Sequence, residues 1–188
     1  VRNAPVVPDE YRQPLTEVQS INVEGTALQI MRTHAFSLYR NNEVSASSAF
    51  VLPKNSGASV LTSQNSAEIY RHLSAGDTFS FCLIGSICTD RDFIDPCNES
   101  NRQVIYGVYN GISRLVSAHE AQWNEMWKSD IIIDGDDEAQ TSVRLALYNL
   151  YSSVRAGSRL SIPPFGLSSQ GYNGHIFWDA EICMYPPL

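Results

Sequence analysis

Residues 98–127 read NESNRQVIYGVYNGISRLVSAHEAQWNEMW. Val104, Val108, Ile112, Leu115, His119, Trp123 and Trp127 recur along them at steps of four and three, the spacing of one helical face. A single helix of that length would extend about 45 Å at 1.5 Å per residue, more than an ordinary globular helix. Gly107 and Gly111 each weaken it by roughly 1 kcal/mol against alanine, so a break is expected near them. Immediately upstream the period is two. In DTFSFCLIGSIC (77–88), Phe79, Phe81, Leu83 and Ile87 alternate with Ser80, Cys82, Ile84 and Ser86, which predicts a strand. The switch of period near residue 95 therefore separates a β-rich part from a helical part, an α+β chain.

The β-rich part continues toward the N-terminus. Leu28, Ile30, Phe36 and Leu38 share one parity of TALQIMRTHAFSLY (26–39), and SASSAFVLP and ASVLT are further short strands between the turn-prone RNNE and KNSG. Strands at this spacing predict an antiparallel sandwich. Arg32 and His34 interrupt the apolar parity and read as an edge or solvated stretch. NSAEIYRHLSAGD (65–77) reads as a short helix or an irregular link.

Downstream, SDIIIDGDDEAQ (129–140) leads into a second helix with Ala139, Val143, Ala146, Leu147, Leu150 and Val154 on one face. Asp136, Asp137 and Glu138 fall in its first turn, where carboxylates oppose the helix dipole favourably. The D-x-D-x-D-G spacing with a distal Glu that calcium needs is absent, so Asp134, Asp136, Asp137 and Glu138 read as a helix start. Beyond them a Gly/Pro/Ser loop with Gly166, Gly171 and Gly174 runs into HIFWDAEICMY (175–185), a helix stopped by Pro186 and Pro187.

Composition narrows the function. The 188 residues are 43% hydrophobic and carry 13 Lys+Arg against 20 Asp+Glu, net charge −7. The chain can bury a core, and it lacks the basic cluster that a phosphate backbone requires. No apolar run approaches the roughly 18 residues of a membrane span, and VRNAPVVPDEY shows no signal peptide. The four cysteines, Cys82, Cys88, Cys97 and Cys183, form no CxxC pair and read as buried free thiols. Cys82 and Cys88 stand roughly 20 Å apart along a straight strand, too far for a disulfide, while a Cys97–Cys183 bond stays open. Asn98-Glu99-Ser100 is a glycosylation sequon. GxSxG and GxxxxGK[ST] are both absent.

Trp178 beside Asp179 pairs a flat apolar surface with a charged acceptor. Sugars use both, stacking C–H faces on an indole and donating hydroxyls to a carboxylate. Hydrolysis by this chain alone is not expected. An inverting site needs two carboxyl groups about 6.5–9.5 Å apart, whereas Asp179 and Glu181 would point roughly 200° apart on a helix. His175 reads as a structural histidine.

The stretch GLSSQGYNGHIFWDAEICMYPP (166–187) resembles the start of the catalytic barrel in family 65 glycoside hydrolases, whose members carry a GL(S/T)-x-x-G-Y-x-GH-x-FWD-x-(E/D) block. His119, Trp123 and Trp127 fit its H-x3-W-x3-W pattern, and DIIIDGDDEAQTSVRLALYNL (130–150) resembles its D-I-x-I-x-GD-x-x-x-Q-x-x-x-R segment. The resemblance covers roughly residues 110–188. It implies a β-sandwich, linker helices and an (α/α)6 barrel, assigned here to residues 1–95, 96–135 and 136–188, with both sandwich and barrel incomplete.

The implied activity is single-displacement inversion of an α-glucoside of the trehalose or glucosyl-galactose type. Its general acid Glu would lie beyond Leu188. Trp178 and Asp179 would belong to the subsite of the non-reducing glucose, and no metal or cofactor is called for. Pro164-Phe165-Gly166-Leu167-Ser168-Ser169 is closer to the hydrolase members than to the phosphorylases, and Cys183 stands where a Trp or another large residue is common. The chain alone is expected to be inactive, as a fragment of such an enzyme. Two alternatives are a disaccharide phosphorylase relative and a non-catalytic carbohydrate-binding or structural module. Uncovered apolar sides of helices 136–154 and 176–185 imply association with another copy or another fragment. The resemblance leans toward a periplasmic or secreted location.

Overall fold

The computed structural model describes residues 15–36, 41–63, 66–154, 157, 161–166, 172 and 175–186. The chain divides into two compact units, Val1–Ser117 and Ala118–Leu188. In the first, six strands precede the helices: β1 (Leu15–Val23), β2 (Thr26–Phe36), β3 (Asn41–Val51), β4 (Ser59–Thr62), β5 (Ala67–Tyr70) and β6 (Cys82–Thr89). β1, β2, β3 and β6 form an antiparallel sheet in that order, and β4 pairs with β5 in a separate two-stranded sheet. With α1 (Pro96–Asn110), α2 (Ile112–Met126) and α3 (Asp137–Ser153), the chain is α+β, as the change of period requires.

The core lies between one face of the sheet and α1. Leu28, Ile30, Ala49 and Val104 are its buried centre, with Ile21, Val23, Ile84, Ile105 and Val108 packed around it. Period two places Leu28 and Ile30 on one face of β2, and the register sets Leu28 against Ile21 and Ala49. From the helix side come Ser100, Val104 and Gly107, spaced four and three apart as one face demands. Serines rather than large residues line part of this contact. Ser100 is fully buried, its hydroxyl 2.8 Å from that of Ser47 and 3.2 Å from that of Ser45. Ser47 donates to Asn101 Oδ1 at 2.5 Å, so the buried hydroxyls are paired. The sequon's serine is therefore enclosed, while Asn98 is exposed and donates to Asp95.

The helical stripe breaks where its glycines stand, and the two act differently. Gly111 follows α1 at φ 79°, a conformation that strains any residue with a Cβ. Gly107 is buried inside α1, and a Cβ there would meet Ile84 at 3.2 Å and Leu115 at 3.4 Å. Its missing side chain lets α1 approach β6. Asp95 caps α1, accepting from the Asn98 amide at 3.0 Å, and Pro96 follows at the first helical position. Glu99 accepts from Arg102 at 2.6 and 2.8 Å and from Gln103 at 2.9 Å. Hydrogen bonds from Arg102 first, then Gln103, push its carboxyl down to about 2.

Several expectations change. Residues 67–70 form strand β5; four alternating residues are too few for a period to declare itself, and their pairing with β4 supplies the order. Residues 77–81 precede β6 rather than joining it. Asn41–Glu43 of the expected RNNE turn belong to β3, whereas KNSG does turn, with Asn55 and Gly57 at positive φ. Arg32 is on no edge, because β2 lies between β1 and β3. Its parity is that of Leu28 and Ile30, and it pairs with Glu43 at 3.0 Å. Of the cysteines, Cys88 alone is buried; Cys82 and Cys97 are half-buried, Cys183 is exposed, and all four are free. Leu38, Arg40 and the side chains of His34 and Phe36 lie outside the described set.

Candidate functional site

The second unit is built on aromatic contacts between the C-terminal half of α2 and α3. Trp123 stacks on Tyr148 with ring centroids 5.0 Å apart and on Trp127 at 6.3 Å, while Trp127 meets Tyr151 edge-on at 5.5 Å. His119 completes the ladder edge-on to Trp123 at 6.2 Å. The H-x3-W-x3-W spacing thus lines up three rings, of which Trp123 and Trp127 pack on α3. These contacts reset the buried face of α3. Leu147 and Tyr151 are its buried residues, Val143 and Leu150 are half-buried, and the expected Ala146 and Val154 are exposed.

The segment 130–150 joins into a clasp. Asp136 caps α3, accepting from the Ala139 amide at 2.9 Å, with Asp137 and Glu138 in the first turn. Gln140 accepts from the Ile133 amide at 2.7 Å and donates to the Ile131 carbonyl at 2.9 Å. Arg144 reaches Asp130 through Nε and Nη2, the shorter contact being 2.6 Å, and these bonds hold the Asp130 carboxyl below the usual carboxylate range. The Tyr151 hydroxyl donates to the Ser129 carbonyl at 2.5 Å. Every polar residue singled out in this motif thus ties the 129–136 connection to α3.

Because Gln140 satisfies two backbone groups, Gln140→Ala removes roughly 0.5–1.5 kcal/mol per bond. Hydrogen exchange at the Ile133 amide is expected to quicken about 5- to 150-fold. Unchanged exchange there would show that something other than Gln140 holds the connection.

Residues 175–186 carry the candidate sugar contacts. The helix expected over 175–185 is a single π-helical turn, Ala180–Met184, closed by Tyr185 N–H donating to the Ala180 carbonyl at 2.9 Å. Pro186 has no amide hydrogen with which to prolong it. The turn is fixed from beneath. Ala180 is buried, Tyr172 stacks on Phe165 at 5.5 Å and meets Phe177 edge-on at 5.3 Å, and the Tyr185 and Ser161 hydroxyls lie 2.5 Å apart. The Ala180 amide donates to Phe177 and that of Glu181 to Trp178.

Trp178 stands out from this support at 70% exposure, with Asp179 exposed beside it and making no side-chain cap bond. His175 and Glu181 are exposed as well. A cleft of about 640 Å³ between α3 and residues 162–166, reached by Met184, opens in the same unit; neither Trp178 nor Asp179 is among its lining. Gly171, Gly174 and Leu167–Ser169 lie outside the described residues. The sequence offered no signal for the Tyr148 and Tyr151 contacts, because ring pairing across helices leaves no spacing within either one.

A family model described as the glycosyl hydrolase family 65 central catalytic domain matches residues 144–188. Kojibiose hydrolase of Flavobacterium johnsoniae is 36% identical over an alignment that takes in 100% of this chain and 29% of that protein. Nigerose phosphorylase of Lachnoclostridium phytofermentans is 34% identical over 60% of this chain and 15% of its own length. Protein-glucosylgalactosylhydroxylysine glucosidase of Dictyostelium discoideum is 44% identical over 40% of this chain and 10% of its own. The chain thus spans under a third of the length of these curated relatives. The C-terminal part of α3 and the FWD block fall within the residues that the family model matches, and the chain belongs to glycoside hydrolase family 65.

Proposed function

We propose that the chain contributes part of the glucose subsite of an inverting glycoside hydrolase acting on α-glucosides of the trehalose or glucosyl-galactose type. The observation that carries this reading is the adjacent exposure of Trp178 and Asp179 on a turn fixed by Ala180, Tyr172 and Tyr185. An indole presented to solvent beside an uncapped carboxylate offers a stacking plane and a charged acceptor to one hexose. In this reading, residues 1–95 are the later part of a β-sandwich, 96–135 linker helices and 136–188 the start of an (α/α)6 barrel. The general acid, a Glu, lies outside these 188 residues. It protonates the glycosidic oxygen as the bond to the anomeric carbon breaks, while a base, also outside these residues, takes the proton of the water that attacks from the opposite face, so an α-glucoside releases β-glucose.

Phosphate as the nucleophile is the second reading, favoured by the likeness to nigerose phosphorylase. Water is preferred because kojibiose hydrolase aligns over the whole chain. Kojibiose and trehalose, incubated with the polypeptide carrying this chain and its barrel, are expected to yield β-glucose at a rate independent of phosphate. The 188-residue chain alone is expected to yield none. Phosphate-dependent formation of glucose 1-phosphate would replace the hydrolase reading, and turnover by the isolated chain would overturn the placement of the acid.

A further inference from the structure

Among the described residues, β6 is paired on one side, with β3. The phase of that pairing says which backbone groups are left over. Asp90 N–H donates to the Glu43 carbonyl at 3.0 Å, and Glu43–Asp90 continues the register Val44↔Thr89, Ser45↔Cys88. Alternate pairs along an antiparallel ladder exchange hydrogen bonds. Residues 82, 84, 86 and 88 therefore face β3, and the N–H and C=O groups of Leu83, Gly85, Ile87 and Thr89 point outward. Their side chains share the sheet face opposite α1, where Leu83 is 60% and Ile87 74% exposed. No charged residue and no proline interrupts Cys82–Thr89, although such residues are the usual guards of an edge. The opposite edge, β1, carries Glu17. A cleft of about 620 Å³ runs beside β6, bounded by Arg102, Tyr106 and Leu115.

We propose that this edge pairs with the same edge of a second copy, antiparallel about a twofold axis at Gly85. The occupant follows from self-complementarity. Outward backbone groups sit at odd residues, so only registers that pair odd with odd can form hydrogen bonds. Centred on Gly85, Leu83 of each copy opposes Ile87 of the other on the outer face, and the two glycines meet at the axis. A shift of two residues sets Leu83 against Thr89 and Ile87 against Gly85, which loses the apolar pairs. The absence of charge from Cys82 to Thr89 means that a second copy meets no like charge across the axis, despite a net charge of −7 on each chain.

Sedimentation velocity of the 188-residue chain tests this independently of any glucoside chemistry. The chain is expected to dimerise in the micromolar range. Ile87→Lys, at an exposed position with its fold checked by circular dichroism, is expected to weaken the dimer at least about tenfold. A monomer at every concentration, as a strand of the same polypeptide on this edge would give, overturns the proposal. So does a dimer that Ile87→Lys leaves unmoved.

Discussion

Asp179→Asn, introduced into the polypeptide that carries this chain and turns over an α-glucoside, is expected to lower kcat/KM by about 10- to 150-fold. Hydrogen bonds to a charged acceptor contribute roughly 1.5–3 kcal/mol, and each 1.36 kcal/mol is a factor of ten. Asparagine keeps the shape of the side chain and removes its charge, so under the proposed glucose contact the sugar hydroxyls would lose a charged acceptor. The fold itself does not depend on this carboxylate: it is exposed and caps no helix. Thermal unfolding is accordingly expected to stay within about 0.5 kcal/mol of the unsubstituted protein. The comparison discriminates between roles. A carboxylate that merely steadies the turn would lower stability and activity together, whereas one that holds glucose lowers only the second. Unchanged kcat/KM at unchanged stability would remove Asp179 from the glucose subsite.

The largest stability effect is expected at Leu28. It is fully buried and lies across from Ile21 and Ala49 in the sheet, in one cluster with Val104 of α1. Leu28→Ala deletes three carbons at the centre of a close-packed layer. The strands around it are locked by their ladders and cannot collapse into the gap, so the cost is the lost transfer energy plus the cavity, about 2–5 kcal/mol. For a unit of this size that corresponds to a fall in Tm of about 10–20 °C. Leu61→Ala, at a leucine 59% exposed, is expected to change stability by less than about 0.5 kcal/mol. Equal effects at the two positions would mean that the core is not where sheet and helix meet.

Much of the fold was legible from spacing, because burial on one face imposes a period on whatever element is buried. Leu28 and Ile30 two apart, and Val104 and Val108 four apart, each report one face of one element. The break between α1 and α2 was legible for a related reason, since Gly111 occupies a backbone conformation that favours glycine. Gly107 was misleading in isolation. Within its helix it is a weak former; in the packed structure it is the residue whose missing Cβ admits Ile84.

Arg32 and the 130–150 segment show where one-dimensional reading ends. A charge inside an apolar strand reads as an edge until the register shows that β2 is flanked on both sides, with Glu43 3.0 Å from a side chain that stays 37% exposed. The letters of D-I-x-I-x-GD-x-x-x-Q-x-x-x-R were visible. Their work was not, because Gln140 and Arg144 act on groups seven to fourteen residues away and no period links a side chain to the backbone it will clasp. The seat of Trp178 and Asp179 is a similar case. Adjacent in the chain, they marked the candidate sugar contact by chemistry alone. That they stand exposed just before a short π-helical turn, rather than within a longer helix, goes with the contacts made by Ala180, Tyr172 and Tyr185.

By itself, then, the sequence determined the division into a β-rich and a helical part, the central buried positions of β2 and α1 and the residue types suited to a hexose, since these depend on local preference and the period of hydrophobicity. The tertiary structure decided which strands are neighbours, which rings pair across α2 and α3, and which polar groups close the clasp. Those contacts join residues far apart in the chain, and their geometry exists only once the backbone has brought them together.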